Sequence, residues 1–236
     1  MGKSDREASP GDLQIHAVNV RSFRLDRTEV TVRAYAECVR AGVCGEPESY
    51  VDQRGNYRIF CNWKHPEARH FHPINCVDFD QAMAFCAWAS KRLPTEEQWE
   101  YAAGGRRGGT QYPWGDEAPD RTRLNACGTE CPPNLVAKRF PAPAPIHEAS
   151  DGWPETAPVG SFPAGASKDG ALDLAGNVWE WTASRYEDGS DRDTEKKRIL
   201  RGGSWGGGDP RTEQTTNRFR LPPKSRAQFL GFRCAK

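Results

Sequence analysis

Eight cysteines, at positions 38, 44, 61, 76, 86, 127, 131 and 234, constrain this 236-residue chain more than any other feature. An even and dense set favours disulfides and an oxidising compartment over free thiols. No Cys-x-x-Cys pair is present, so nothing in the spacing favours zinc. The four cysteines between 38 and 76 admit three pairings if they bond among themselves, and the spacing does not choose. Cys127 and Cys131 lie in a Gly/Pro-rich stretch and are close enough in sequence to close a small ring.

Cross-links of this kind suit a chain with little regular structure. Gly occurs 23 times and Pro 18 times, and hydrophobic residues make up only 36%. That composition predicts one loop-rich domain spanning 1–236. Three helices are marked. One runs from Val32 to Arg40, with Thr31 as cap and Gly42 beyond its end. A second starts at Asp78, with Gln81 three residues on and Ala82, Phe85, Cys86 and Ala89 along one face. A third starts at Thr95, with Gln98 at its third position, and stops at Gly104. Residues 14–25, 196–205 and 228–235 read as strands. Residues 45–75 read as an ordered loop with short strands. The long stretch 106–170 reads as mostly loop, held by disulfides or bound ions because its backbone groups must find partners.

Several function classes are excluded or disfavoured. Lys and Arg total 33 against 32 for Asp and Glu, so no charge excess points to nucleic acid or an anionic membrane. No apolar run approaches the roughly 20 residues that a spanning helix needs. There is no Ser-His-Asp arrangement, and Gly206 to Gly208 lack the Lys-Ser/Thr of a phosphate loop. His70-Phe-His72 is the one His pair with the spacing for a metal on a strand, but His72 precedes Pro73, which favours a loop.

Ordered motifs span the chain: Lys91-Arg-Leu-Pro-Thr-Glu-Glu-Gln-Trp-Glu-Tyr-Ala-Ala103, Tyr112-Pro-Trp-Gly115, Leu174-Ala-Gly-Asn-Val-Trp-Glu-Trp181, Arg201-Gly-Gly-Ser-Trp205 and Gly231-Phe-Arg-Cys-Ala235. Together they resemble the formylglycine-generating-enzyme family. That family also holds a pyoverdine-maturation protein and the C-terminal half of ergothioneine sulfoxide synthases. The resemblance implies an α+β, C-type-lectin-like fold. It places Met1-Gly2 at the end of the family's opening strand, whose upstream part, with any leader, would then lie outside this sequence. It implies a disulfide between Cys86 and Cys234. It implies two calcium sites, one from Asn125 and Asp151 with backbone oxygens of Ala126 and Trp153, the other from Asp173 and Glu180 with backbone oxygens of Gly176 and Val178. Hard oxygen ligands on loops are what calcium takes.

The oxidase chemistry of the family rests on two cysteines that hold Cu(I), a soft ion suited to thiolates. Gly207 and Thr216 stand at those positions, and no cysteine lies between Trp205 and Gly231. Copper is therefore not expected. The old groove retains Ser204, Trp205, Asn217, Arg218 and Arg220, and Trp and Arg often dominate binding energy. Family members diversified for ligand recognition vary this segment but are Asn-rich there, so what is shared is the scaffold. The expectation is a calcium- and disulfide-stabilised module of the periplasm, cell envelope or secreted space that binds a peptide, protein or small molecule. The alternative is an atypical oxidoreductase of the same family acting through a non-haem metal on a peptide or natural product.

Overall fold

The computed structural model describes residues 17–47, 57–104, 109–186 and 196–236. Four helices and one small sheet emerge from otherwise irregular chain: α1 (Val32–Arg40), α2 (Phe79–Trp88), α3 (Glu96–Gly104), α4 (Cys131–Ala137), β1 (Trp179–Arg185), β2 (Arg198–Arg201), β3 (Phe219–Leu221) and β4 (Leu230–Gly231). The fold is a loop-rich α+β arrangement. The sheet order is β3-β2-β1-β4, antiparallel except for the β1–β4 pair.

The helices begin where their caps stand. The Thr31 hydroxyl accepts from Ala34 N, and Asp78 and Gln81 form a reciprocal capping box. At α3 the Thr95 hydroxyl accepts from Gln98 N while the Gln98 side chain accepts from Thr95 N. These contacts satisfy N–H groups that a first turn leaves open. Past α1, Gly42 takes φ +71°, the left-handed conformation glycine adopts without strain.

The main core gathers Val32, Tyr35, Ile74, Phe85, Trp181 and Phe232 between α1, α2 and the sheet. Trp181 is fully buried and donates from its indole to the Val77 carbonyl, 104 positions away in sequence. Four disulfides pair all eight cysteines: Cys38–Cys44, Cys61–Cys76, Cys86–Cys234 and Cys127–Cys131. Such a set is characteristic of proteins from an oxidising, extracytoplasmic environment. Among the described residues no helix is long and apolar enough to cross a membrane.

Two expectations need correction. Residues 17–25 form no strand, and residues 14–16 lie outside the described set. Their only partners in a ladder are the last residues of the chain, through Arg24 with Lys236 and a single bridge between Leu25 and Ala235. Residues 57–75 hold two 3-10 turns, Tyr57–Phe60 and Asn62–Lys64, in place of strands. The described part of 106–170 is mostly loop, with α4 opening at Cys131 and prolines in its first turn, where a missing N–H costs nothing.

The irregular layer is held by side chains doing the work of a ladder. Arg233 is fully buried. It donates to the carbonyls of Asp26, Arg27, Leu172 and Asp173 and grips the Glu180 carboxylate with two nitrogens. Asn75 and Asn62 do the same between residues 60–75, 156 and 228.

Candidate functional site

β2 ends at Arg201, and the chain turns there because Gly202 and Gly203 take φ +104° and +76°. The turn delivers Ser204 and Trp205 to a cleft of about 210 Å³ whose walls include Tyr57, Phe60, Phe140, Pro143 and Phe229. Trp205 packs on Phe60 with ring centroids 5.5 Å apart, and Phe60 packs on Phe140 at 5.0 Å. A wider concavity of about 500 Å³ opens beside Phe23, Arg27, Tyr101 and Gly170. It carries none of the Arg-Gly-Gly-Ser-Trp motif, so the smaller cleft is the better candidate.

The predicted groove residues divide. Ser204 and Trp205 line the cleft, whereas Asn217, Arg218 and Arg220 do not. The Arg218 guanidinium is bidentate on the buried Glu96 carboxylate, so it braces α3 against β3. Asn217 gives its carbonyl to Arg201. Only Arg220 is exposed, and it lies 4.2 Å from the Tyr186 ring centroid. His70 and His72 do not converge either. His72 is buried against Thr156 with Arg69 beside it, and His70 pairs with Glu67. Burial, aided by the Arg69 charge, pushes His72 down to about 4.

Below the turn lies Glu213, a residue the sequence alone did not single out. It is fully buried and accepts from Thr212 Oγ1 at 3.0 Å and more loosely from Ser204 N. Burial pushes its carboxyl up to about 8. A Cβ at Gly203 would overlap that carboxyl, and one at Gly207 would come within 2.9 Å of it. The side-chain space at 207 is thus filled by an acid from 3-10 turn Pro210–Glu213.

The first expected calcium ligands are brought together. Asp151 accepts from Ala126 N at 3.1 Å and from Trp153 N at 2.8 Å. Burial raises its carboxyl to about 7, with the nearby Glu130 charge adding to the rise. Asn125 donates to Glu155 O and Asn177 Oδ1, which leaves its own Oδ1 buried without a donor. Both Glu130 carboxylate oxygens are also buried without donors. A closed pocket of acceptors is a chemical fit for a hard cation. Among the described residues no three His, Cys, Asp or Glu side chains converge as a metal cage. Any cation here must draw on amide and backbone oxygens as well.

The second expected set is arranged differently. Glu180 accepts from Arg233 at 2.7 to 3.0 Å and from the Trp99 indole at 2.9 Å. Asp173 accepts from Gly160 N at 2.6 Å. Neither carboxylate retains a buried, unpartnered oxygen. Arg233 and Trp99 already occupy the Glu180 oxygens with donors, so a cation bound there would have to displace them. Glu29, with both oxygens buried and unpartnered, completes this cluster, and burial followed by the Asp173 charge raises its carboxyl well above the usual range. No sequence signal marked it.

Asn177 couples the Asn125 cluster to the cleft. Its N–H donates to Asn125 O at 2.8 Å, and its carbonyl accepts from Trp205 N at 3.0 Å. Its φ is +58°, which asparagine tolerates better than most residues.

Comparison with known proteins agrees with this architecture. The model of the sulfatase-modifying factor enzyme 1-like domain matches residues 1–236. The chain is 34% identical over 273 residues to a Bos taurus protein named inactive C-alpha-formylglycine-generating enzyme 2, covering 100% of this chain and 84% of that one. It is 32% identical over 289 residues to the formylglycine-generating enzyme of Streptomyces coelicolor, covering 100% and 85%. Among solved structures, PvdO from Pseudomonas aeruginosa superposes with a TM-score of 0.70 at 25% identity, covering 100% and 89%. With a full-length family match and these relatives, the chain belongs to the sulfatase-modifying-factor family of formylglycine-generating-enzyme-like proteins.

Proposed function

We propose that this family member is a binding module, stabilised by one calcium ion and four disulfides, that recognises a peptide, protein or small molecule through the cleft at Trp205. The observation that carries the reading is the fate of the thiols. All eight cysteines are in disulfides, Gly207 and Thr216 replace the copper ligands, and Glu213 fills the space beside Gly207. No thiolate remains to hold Cu(I) or to bond a substrate cysteine. What remains is an aromatic cleft of about 210 Å³, the shape and chemistry that receives an apolar side chain or ring.

Asn125 and Asp151, with Ala126 and Trp153 carbonyls, would hold the calcium. Bound there, the ion supplies positive charge to a pocket of acceptors and ties residues 125–126 to 151–153. Asn177 passes that order to the cleft. The four disulfides support a setting outside the reducing cytosol, whether periplasm, cell envelope or secreted space.

Panning a random-peptide display library on the calcium-loaded protein tests the reading. Binders that weaken about tenfold or more on Tyr57→Ala, at the cleft rim, are the expected result. The oxidoreductase alternative predicts instead that a cysteine-containing or natural-product substrate is oxidised when a redox metal and O₂ are supplied. Such turnover would overturn the binding-module reading.

A further inference from the structure

The Cys127–Cys131 ring encloses three residues, Gly128, Thr129 and Glu130, directly after the Asn125–Ala126 pair. The ring is packed tightly against residues 147–149. A Cβ at Gly128 would come within 2.5 Å of Ala149 O, 2.7 Å of His147 Cε1 and 2.9 Å of Glu130 Oε1. Glu130 is thereby turned inward. Both its oxygens are out of solvent, and neither meets a donor. Three cations of this part of the chain are committed elsewhere: Lys138 and Arg69 pair with Glu155, and Arg123 pairs with Glu117 and Asp120.

Asn125 Oδ1 is a further buried acceptor without a donor. Asn125 is 1% exposed, and its Oδ1 orientation is fixed because its Nδ2 donates to two oxygens. The Nδ1 of His147 lies 2.7 Å from Ala149 O and must be protonated to bond it. In the neutral ring Nε2 is then an acceptor. That Nε2 is buried, unpartnered and 4.0 Å from Asp151 Oδ2. Neither Glu130 oxygen nor Asn125 Oδ1 thus meets a donor, while Asp151 takes only the backbone N–H groups of Ala126 and Trp153. A buried carboxylate in that position is strongly unfavourable unless a cation joins it.

We propose that Glu130 is a further ligand of the cation at Asn125 and Asp151, and that the Cys127–Cys131 disulfide positions it, so that cation affinity depends on the oxidation state of this pair. The proposal rests on the calcium reading above. It adds a second anionic ligand, which tightens a loop-built calcium site. It also gives the ring a role beyond cross-linking: it fixes the short path from the Ala126 carbonyl to the Glu130 carboxylate. His147 borders the site as an acceptor and is not required as a ligand.

Calcium titration of the chelator-treated full chain by calorimetry tests this, with unfolding midpoints taken in chelator and in calcium. Glu130→Gln keeps the shape and removes the charge. It is expected to weaken calcium binding about tenfold or more while leaving the midpoint in chelator unchanged or higher, because the unpaired charge is gone. A merely structural Glu130 would lower the midpoint in both conditions. Cys127→Ser/Cys131→Ser, with Glu130 intact, is expected to weaken binding several-fold. Wild-type affinity in Glu130→Gln overturns the ligand role and leaves the calcium reading standing. Wild-type affinity in the Ser pair overturns the positioning role alone. If neither the wild type nor Asp151→Asn binds calcium, the calcium reading falls and this proposal falls with it.

Discussion

Glu213 sits in the folded chain with its carboxyl raised by burial to about 8, against 4.5 in a solvated chain. The native state therefore holds this proton more tightly than the unfolded state. Its contribution is full below about pH 4.5 and is lost as pH rises through about 8, because folding must then take up a proton or bury the charge. The group can weaken the fold by as much as roughly 4–5 kcal/mol across that window. Urea midpoints at pH 5 and pH 8.5 check it: Glu213→Gln is expected to lose less stability than wild type between the two, and parallel curves would contradict the assignment. Gly203 is the reciprocal case. With φ +76° and the Glu213 carboxyl where a Cβ would go, Gly203→Ala is expected to cost roughly 3 kcal/mol or more in chemical denaturation. Legibility fails at this scale for a simple reason. The sequence shows that Gly207 and Thr216 are not thiols, but no local pattern reveals that a residue six positions beyond Gly207 fills the space.

The helices were legible and the strands much less so. α1, α2 and α3 carry capping side chains at their first residues, and those are local signals. Asp78 does two jobs: it caps α2 through Gln81 N at 2.9 Å and accepts from Arg226 at 2.7 Å. Asp78→Ala should therefore lower the unfolding free energy by about 1–2 kcal/mol for the cap and more for the lost pair, whereas Asp78→Asn should retain most of the cap contribution. Comparing the two by calorimetry separates the roles. β1 gave no alternating pattern because its first four residues, Trp179 to Thr182, are all buried. β3 and β4 are three and two residues long, too short for any period. α4 lacks an apolar period, and its prolines read as loop until Cys131 is seen to open a first turn. Of the candidate site, Asn125, Asp151 and Trp205 were legible through the family motifs. Glu130, Phe60 and Phe140 were not, because their partners are distant in sequence.

For the whole molecule, cross-links replace what a small sheet cannot supply. Cys86–Cys234 spans 148 positions and Cys127–Cys131 only 4. On chain-entropy grounds the first restrains the unfolded state by about 5 kcal/mol and the second by about 2 kcal/mol. Replacing Cys86 and Cys234 by Ala should thus be the most damaging pair deletion in urea, and replacing Cys127 and Cys131 should cost little stability for its effect on the cation pocket. The motifs made the family readable over the whole chain, since each fixes a turn or a buried pair such as Glu180–Arg233 that only this fold uses. The central proposal concerns the metal: we propose that this scaffold holds calcium in place of the family's copper. Elemental analysis of protein purified without chelator, after exposure to both metals and desalting, tests that claim directly. The account predicts about one calcium per chain and copper near background. Stoichiometric copper, or calcium at background, would contradict it.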